Sequence, residues 1–405
     1  MSKTTVTMVA THVTPAKGYG GVAESAFNLC SAWARKQYSF RLCVSDGSTE
    51  GRVTAAAIGL PHFVRVDLFR AILFKRWGFG PGALLSVLRS CLAAHTVYIC
   101  GIANWPTTLA ALVCTCLRRP FVVAPRGGLM RSTVATIKAD KPHKWLFYRC
   151  LTLPTMRAAA YIHITSDLEQ QGIRDLLPEA RSVLVPNGLD LTSWPIAPTA
   201  RQKRLTFCYV GRISREKGIN RFLEIWLANR QQGERVIVVG DVQGRGNYGD
   251  RFKALVEQSA GAIELTGYLP RNEISTVLAH SDFLVLPSGI EANDIRENFG
   301  NCVAESLASG RPVLVSKGLA WDFAETDGLG LLFDKTEENI AAAIERARAI
   351  PDETYARMCR TARSYAENNL DINVTSDKLW SVVSALGVRG AVAEVATPPA
   401  SKRGI

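Results

Sequence analysis

The sequence predicts an α/β protein built as two doubly wound domains in tandem. Three observations carry that reading. Short apolar strand-like runs alternate with helix-like segments through the first 164 residues, and a charged, proline-bearing break follows. The same alternation then restarts at Leu205. At 405 residues the chain also exceeds one comfortable core, and two domains of roughly 150–200 residues are expected.

The elements follow in order. Residues 5–10 read as a buried strand, and the loop THVTPAKGYGG comes next. Val22, Ala26, Leu29, Cys30 and Trp33 then recur at helical spacing. Further strands are expected at 40–44, 96–99, 121–124 and 161–164. The break opens at Val185-Pro186-Asn187-Gly188 and runs through Pro195, Pro198 and the RQKR of 201–204. Residues 1–188 and 205–368 are therefore expected as the two domains, with 189–204 as linker. In the second domain strands are expected at 205–210, 236–239, 263–265, 283–286, 312–315 and 330–333. No sequence repeat links the two halves. The end, 391–405, is rich in Ala, Pro and Lys/Arg and is expected to be disordered.

Composition excludes little. The chain is 47% hydrophobic, 21% charged and 8% aromatic, which is ordinary for a globular protein. A formal charge of +12 points toward anionic partners, with nucleotides, nucleic acid and acidic lipid headgroups all qualifying. One basic stretch, 65–89, mixes Arg65, Arg70, Lys75, Arg76 and Arg89 with Leu68, Phe69, Ile72, Leu73, Phe74 and Trp77. It reads equally as an interfacial amphipathic surface or as a domain helix with its basic face in solvent. The ten cysteines form no CxxC and no zinc-spaced Cys/His cluster, so reduced, buried thiols in a cytosolic protein are expected. MSKTTVTMVATHV lacks the apolar h-region of a signal peptide, and the most apolar run, 109–117, is shorter than a bilayer span, so a soluble or peripherally attached intracellular protein is expected.

Ligands of doubly wound sheets bind beyond the carboxyl ends of the strands, and four loops fall there. Lys17-Gly18-Tyr19-Gly20-Gly21 leads into the first helix, where adjacent glycines let the backbone approach a phosphate. The strict GxGxxG and Walker A patterns are absent. Gly211 to Gly218 carries Arg212 and Lys217, a planar fork and a point charge suited to a diphosphate, or alternatively a solvated charged turn. Gly240-Asp241-Val242-Gln243-Gly244-Arg245-Gly246 is a third backbone-rich loop. The fourth is ENFGNCVAES, where Glu297 and Glu305 lie eight positions apart. The pair reads as a solvated helix face, as catalytic carboxylates, or as two grips on one polar ligand. With Gly300 at the helix start, Glu305 falls inside the helix and suits vicinal hydroxyls, while Glu297 precedes it.

Taken together these segments resemble a known family. GRISREKG, TGYLPRNEISTVLAHSDFLVLPS and ENFGNCVAESLASGRPVLVS, in that order, look like the retaining glycosyltransferases of family 4. The match is dense over 205–335 and looser in the first half, at APRGGL (124–129), HITSDLEQQGI (163–173) and VPNGLD (185–190). The resemblance implies the GT-B fold, two Rossmann-like domains facing across a cleft. It also implies a C-terminal helix within 369–390 that crosses back to the first domain.

Carried to these positions, the resemblance implies roles. Arg212 and Lys217 would neutralise a donor's diphosphate, Glu305 would hold ribose hydroxyls, and Glu297 would contact the transferred sugar. The N–H groups of Phe299 and Gly300 would face sugar or phosphate, Gly20 and Gly21 would approach the diphosphate from across the cleft, and the Gly240 loop would serve the donor. Arg126 stands where many relatives carry a His-Gly step, and with Lys144 it is expected on the acceptor side. Glu291 rivals Glu297, because the approach GIEANDIRENFG is long.

The implied reaction is metal-independent glycosyl transfer with retention, from a UDP- or GDP-sugar to a saccharide or lipid-linked saccharide. No cofactor and no nucleic acid partner are expected. The implied setting is bacterial surface polysaccharide assembly by a cytoplasmic enzyme, peripheral on an anionic membrane face. The alternatives are a nucleotide-sugar 2-epimerase of similar architecture and a non-catalytic adaptor for anionic ligands or membranes.

Overall fold

The computed structural model describes residues 5–16, 19–201, 204–242, 247–291 and 297–387. Lys17 and Gly18 of the first glycine loop, residues 243–246 of the third, and the tail 391–405 lie outside the described residues. The first sheet comprises β1 (Val6–Ala10), β2 (Phe40–Ser45), β3 (Arg65–Phe69), β4 (Thr96–Cys100), β5 (Phe121–Ala124), β6 (Tyr161–Ile164) and β7 (Ser182–Leu184). Its order is β3-β2-β1-β4-β5-β6-β7, and every neighbouring pair is parallel. The second comprises β8 (Thr206–Val210), β9 (Arg235–Val239), β10 (Ile263–Gly267), β11 (Phe283–Leu286), β12 (Val313–Ser316) and β13 (Gly330–Phe333). Its order, β10-β9-β8-β11-β12-β13, is again parallel throughout. Both sheets are thus doubly wound, with winding that reverses at β1/β4 and at β8/β11.

Parallel sheets need cover on both faces, and the strand period of two supplies it. Val9, Val97 and Ile99 face one core of the first domain, while Val6, Met8 and Tyr98 face the other. In the second domain Phe207, Tyr209 and Val238 face one core and Cys208, Ile237 and Val239 its opposite.

Two strands escape the sequence reading. β3 is an edge strand, RVDLF, whose charged side chains interrupt the apolar run, and β7 has three residues. The basic stretch 65–89 is accordingly not one helix. It divides into β3, an exposed loop, the 3₁₀ turn Lys75–Trp77 and the helix Gly82–Leu92. All ten cysteines are free, and Cys116 and Cys150 are exposed rather than buried.

The chain crosses between the halves twice, and the two crossings are zipped together. The Leu189 N–H donates to Leu370 O at 2.7 Å, and the Ile372 N–H donates to Leu189 O at 2.9 Å. Beyond this pair the helix Ile372–Ala385 packs on the first domain, burying Leu379, Val382 and Val383 in the core that holds Leu29 and Trp33. Each such side chain contributes about 1.5–3 kcal/mol of burial. The Trp33 indole N–H donates to Ser376 O at 3.3 Å, and the Tyr38 hydroxyl donates to Asp377 at 2.8 Å.

Gly188 sits against this crossing. A Cβ there would lie 2.7 Å from the Ile372 Cα and 2.1 Å from the Thr375 hydroxyl oxygen. Gly188→Ala is expected to destabilise the chain by about 1–3 kcal/mol through overpacking, seen as a lower thermal unfolding midpoint. An unshifted midpoint would show that the crossing yields freely.

Candidate active-site cleft

The second domain presents its chemistry beyond the carboxyl ends of β8 and β11, at its winding reversal. After β8 the chain turns through Gly211 and Arg212, and a 3₁₀ turn, Arg215–Lys217, leads to Gly218. Gly218 has φ +69°, and a Cβ on it would lie 2.3 Å from Pro287 O in the loop after β11. Only glycine lets the two loops come this close. The Glu216 carbonyl also accepts from the Gly289 N–H at 3.1 Å. As a result the Lys217 ammonium meets the Glu297 carboxylate in a partly buried ion pair. Burial works against the lysine's charge, yet Glu297 outweighs it and holds the ammonium above its ordinary range. Arg212 stands near enough to act electrostatically on Lys217, and its half-exposed guanidinium lies 3.5 Å from Glu216.

Gly240 has a packing reason. A Cβ on it would fall 2.0 Å from Gly211 O, and Ile213 pairs with Val242 alongside. Gly240 therefore braces the loop that carries Arg212.

Glu297 precedes the helix Asn301–Ala308, and Glu305 lies within it. The helix starts at Gly300, φ +74°, with no side-chain cap; the Val303 N–H donates to Gly300 O at 2.9 Å, and the N–H groups ahead of it have no intrahelical acceptor in reach. Phe299 is locked by Trp321, whose indole N–H donates to the Phe299 carbonyl. Glu305 is 6% exposed, and its nearest cation is Arg271, at 3.7 Å. Burial pushes the Glu305 carboxyl up to about 8, with Arg271 pulling the other way and Glu24 adding to the rise. Arg271 bridges the domains, because its guanidinium also lies 2.6 Å from Glu24 on the first helix of the chain.

Glu291 does not share this place. Its carboxylate accepts from the Arg221 N–H at 2.6 Å and the Tyr248 hydroxyl at 3.4 Å, and pairs with Arg251 at 3.5 Å. These contacts tie it to the second domain's own helices.

From the first domain, the loop after β1 delivers Gly20 and Gly21 to the start of the helix Gly20–Arg35. Gly20 has φ +63° with open space beside it, and a Cβ on Gly21 would lie 2.8 Å from the Asn301 amide nitrogen. Asn301 is gripped further: its carbonyl oxygen accepts from Asn187 at 3.0 Å, and Asn187 accepts from Arg126 at 2.6 Å. Arg126, at φ +55°, also donates to the Tyr98 hydroxyl at 3.0 Å. Its guanidinium thus braces the first domain and reaches the second through Asn187. Asn298 forms a second clasp, accepting from Ser166 at 2.6 Å and donating to Thr165 at 2.8 Å and Glu169 at 3.4 Å. Glu169 in turn accepts from the Gly127 N–H.

Lys144 belongs to another group. Its charged neighbours are Lys141 and Arg76, and burial together with those like charges lowers its pKa. Sequence reading missed Asn187, Asn298, Asn301, Glu24 and Arg271. The one available signal was a polar residue on each side of Phe299-Gly300. Among the described residues, no three His, Cys, Asp or Glu side chains converge as a metal site.

Comparison with known proteins follows the same division. A family model described as glycosyl transferases group 1 matches residues 192–365, and one described as a glycosyl transferase 4-like domain matches 20–188. A putative colanic acid biosynthesis glycosyltransferase of Escherichia coli K12 is 26% identical over 218 residues, 52% of each chain. A GDP-mannose-dependent phosphatidylinositol dimannoside mannosyltransferase of Mycobacterium tuberculosis is 27% identical over 203 residues, 47% of this chain and 49% of its own. The matches span about half the length of these curated relatives. Among solved structures, sucrose-phosphate synthase from Thermosynechococcus elongatus superposes with TM-score 0.72 at 16% identity, over 94% of this chain and 98% of its own. Anabaena HepE in complex with UDP gives 0.70 at 14%, over 94% and 99%. At such identity the likeness concerns the fold.

Two outcomes are expected from the geometry. The raised carboxyl of Glu305 binds its proton more tightly folded than unfolded. Its stabilising contribution is complete below the unfolded value and disappears as pH rises through about 8. Glu305→Gln should therefore flatten the fall of the melting temperature over that window, and an unchanged profile contradicts a proton-holding carboxyl. Asn301→Ala removes one cross-cleft hydrogen bond, worth about 0.5–1.5 kcal/mol, so closed protein should decline roughly 2- to 10-fold relative to open. Small-angle scattering should show a larger radius of gyration, and an unchanged radius rejects a holding role for Asn301.

Proposed function

The chain belongs to the group 1 glycosyl transferases, with the GT-B fold, and from that premise we propose that it moves a sugar from a UDP- or GDP-sugar to a saccharide or lipid-linked saccharide with retained anomeric configuration. The observation that carries the reading is one cluster. A Lys217–Glu297 pair, the uncapped start of the helix Asn301–Ala308 and buried Glu305 lie together beyond the β8/β11 reversal, with Gly21 of the first domain packed against Asn301.

Each group has a task that its physics suits. Lys217 and Arg212 supply positive charge for the diphosphate as it departs, the moment when its negative charge grows. Glu305, poor in cations and shut away from water, gains by accepting hydrogen bonds from ribose hydroxyls. Glu297 exchanges part of its hold on Lys217 for hydroxyls of the sugar. In the reaction the bond from the anomeric carbon to the phosphate oxygen breaks and a bond to the acceptor oxygen forms on the same face. The acceptor's proton passes to the departing phosphate oxygen. No protein nucleophile is needed, which sets these carboxylates apart from the paired acids of glycoside hydrolysis.

Two relatives make the setting concrete: one is named for colanic acid biosynthesis, the other for mannosyl transfer to a phosphatidylinositol dimannoside. Their names support bacterial surface polysaccharide or glycolipid assembly as the context.

A panel of UDP- and GDP-sugars screened by thermal stabilisation tests the donor, since a ligand of the folded state raises its melting point. Glu305→Gln exchanges one carboxyl oxygen for an amide NH2 and should weaken the best donor by about 2- to 10-fold in Kd, the loss of one hydrogen bond between neutral groups. Unaltered affinity removes Glu305 from the site. Turnover should survive EDTA, and complete loss restored by magnesium rejects the metal-independent mechanism.

A further inference from the structure

We propose that the first domain docks on an anionic lipid surface through the loop that follows β3, with Ile72, Leu73 and Phe74 entering the interface and Arg70, Lys75 and Arg76 meeting the headgroups. The proposal goes beyond the reaction above, and its primary readout needs no donor.

The first observation concerns where the charge lies. Residues 68–166 contain thirteen Lys and Arg and a single acidic residue, Asp140, so this segment accounts for the whole formal charge of +12. The remainder of the chain is balanced. Of these cations Arg126 is tied to Asn187 and Tyr98 and Arg131 pairs with Asp175, whereas Arg70, Lys75 and Arg76 are exposed around the loop after β3.

The second observation is the loop itself. Ile72 is 46% exposed, Leu73 58% and Phe74 76%, three consecutive large apolar side chains turned outward. Scattered exposed hydrophobics are ordinary, whereas a run of them framed by cations marks an interaction site. Arg70, Lys75 and Arg76 are exposed on either side.

The loop is built to hold that posture. The Ile72 N–H donates to Phe79 O at 2.9 Å, and Leu73 bridges Phe79. Phe74 adopts φ +46°, a left-handed conformation that a bulky residue rarely takes, and the Gly78 N–H donates to its carbonyl at 3.2 Å. Behind the tip, Trp77 stacks on Phe79 at 6.2 Å and meets Phe147 at 6.1 Å. Its indole N–H donates to Ala103 O at 2.8 Å. One aromatic of this region is thus anchored inward while Phe74 is held out.

The neighbouring helix Pro142–Phe147 extends the same character. Leu146 is 61% exposed, and the Lys144 ammonium is lowered first by its burial and then by Lys141 and Arg76 beside it. A bilayer interface takes both components at once: acyl chains receive the apolar tip, and anionic headgroups receive the cations. Nucleic acid would satisfy the charge and leave Ile72 and Leu73 without a partner. No helix among the described residues is long and apolar enough to cross a membrane, so docking would be interfacial.

The face also lies beside the cleft. His12 bonds the Arg76 carbonyl at 3.4 Å, and its ring stacks on Tyr19 at 3.5 Å, directly before Gly20 and Gly21. If the acceptor is lipid-linked, as in the proposed function, docking here brings it to the first domain's side of the site.

Co-sedimentation of the full chain with phosphatidylcholine vesicles, with and without phosphatidylglycerol, tests the proposal at low and high salt. Binding should favour the anionic vesicles by about tenfold or more at low salt. Leu73→Ser with Phe74→Ser should reduce partition to both vesicle types about tenfold. Lys75→Gln with Arg76→Gln should remove much of the salt dependence. Both variants alter exposed side chains, so equal melting temperatures and equal turnover of a water-soluble acceptor verify that they are folded. No vesicle binding by the wild type, binding undiminished in both variants, or preference for a single-stranded oligonucleotide over the vesicles would each overturn it. A failed donor screen with intact vesicle binding would reject the reaction and leave the docking face standing.

Discussion

The start of the helix Asn301–Ala308 is the point on which the two domains converge. Gly300 takes a left-handed turn that only glycine adopts without strain, and the helix begins directly after it with no side-chain cap. Asn298 and Asn301 lie on either side of that turn, and each is held by the first domain. A helix terminus is an anion site because of its unpaired donors. Here the same terminus is also the interdomain joint, so whatever binds at it senses how the domains meet. That coupling follows from the position of two amide side chains and needs no separate hinge signal.

The electrostatics divide the cleft into two unlike places. Lys217 and Glu297 neutralise each other in a partly buried pair, an arrangement that leaves either group available once a ligand supplies a better partner. Glu305 is treated differently. It is shut away from water with Arg271 at 3.7 Å, and Arg271 is shared with Glu24 of the other domain. A carboxyl so placed holds its proton near neutrality and has unused hydrogen-bonding capacity. One carboxylate is therefore matched directly to a cation, and the other is buried with its nearest cation 3.7 Å away. The Glu-x7-Glu spacing achieves this because the first glutamate precedes the helix and the second sits on its buried side.

The distribution of positive charge has the same economy. Lys217 and Arg212 belong to the second domain's cleft, while the net charge of the chain is concentrated in 68–166 of the first domain. A uniform basic surface would attract any polyanion. A local one, next to exposed Ile72, Leu73 and Phe74, is the basis of the lipid docking proposed above.

Both doubly wound sheets were legible in the chain, because buried parallel strands such as 283–286 read as apolar runs whatever surrounds them. The ends of those strands placed the loops with Lys217, Glu297 and Glu305, since the fold class fixes where strand ends lie. Edge strands β3 and β7 were not legible, the first because charged residues interrupt it and the second because three residues carry no period. Nor were the partners of Asn298, Asn301 and Glu305, which lie 114 to 133 positions away for the two asparagines and 34 positions away for Arg271. The sequence by itself determined local periodicity, the glycine turns and the residue types available to the cleft. Only the tertiary structure decided that Glu291 is consumed by Arg221 and Arg251, that Arg126 braces Asn187, and that Phe74 faces outward. The physical reason is that hydrogen bonding and burial depend on which groups meet in space, and no local pattern records a contact between segments that distant in the chain.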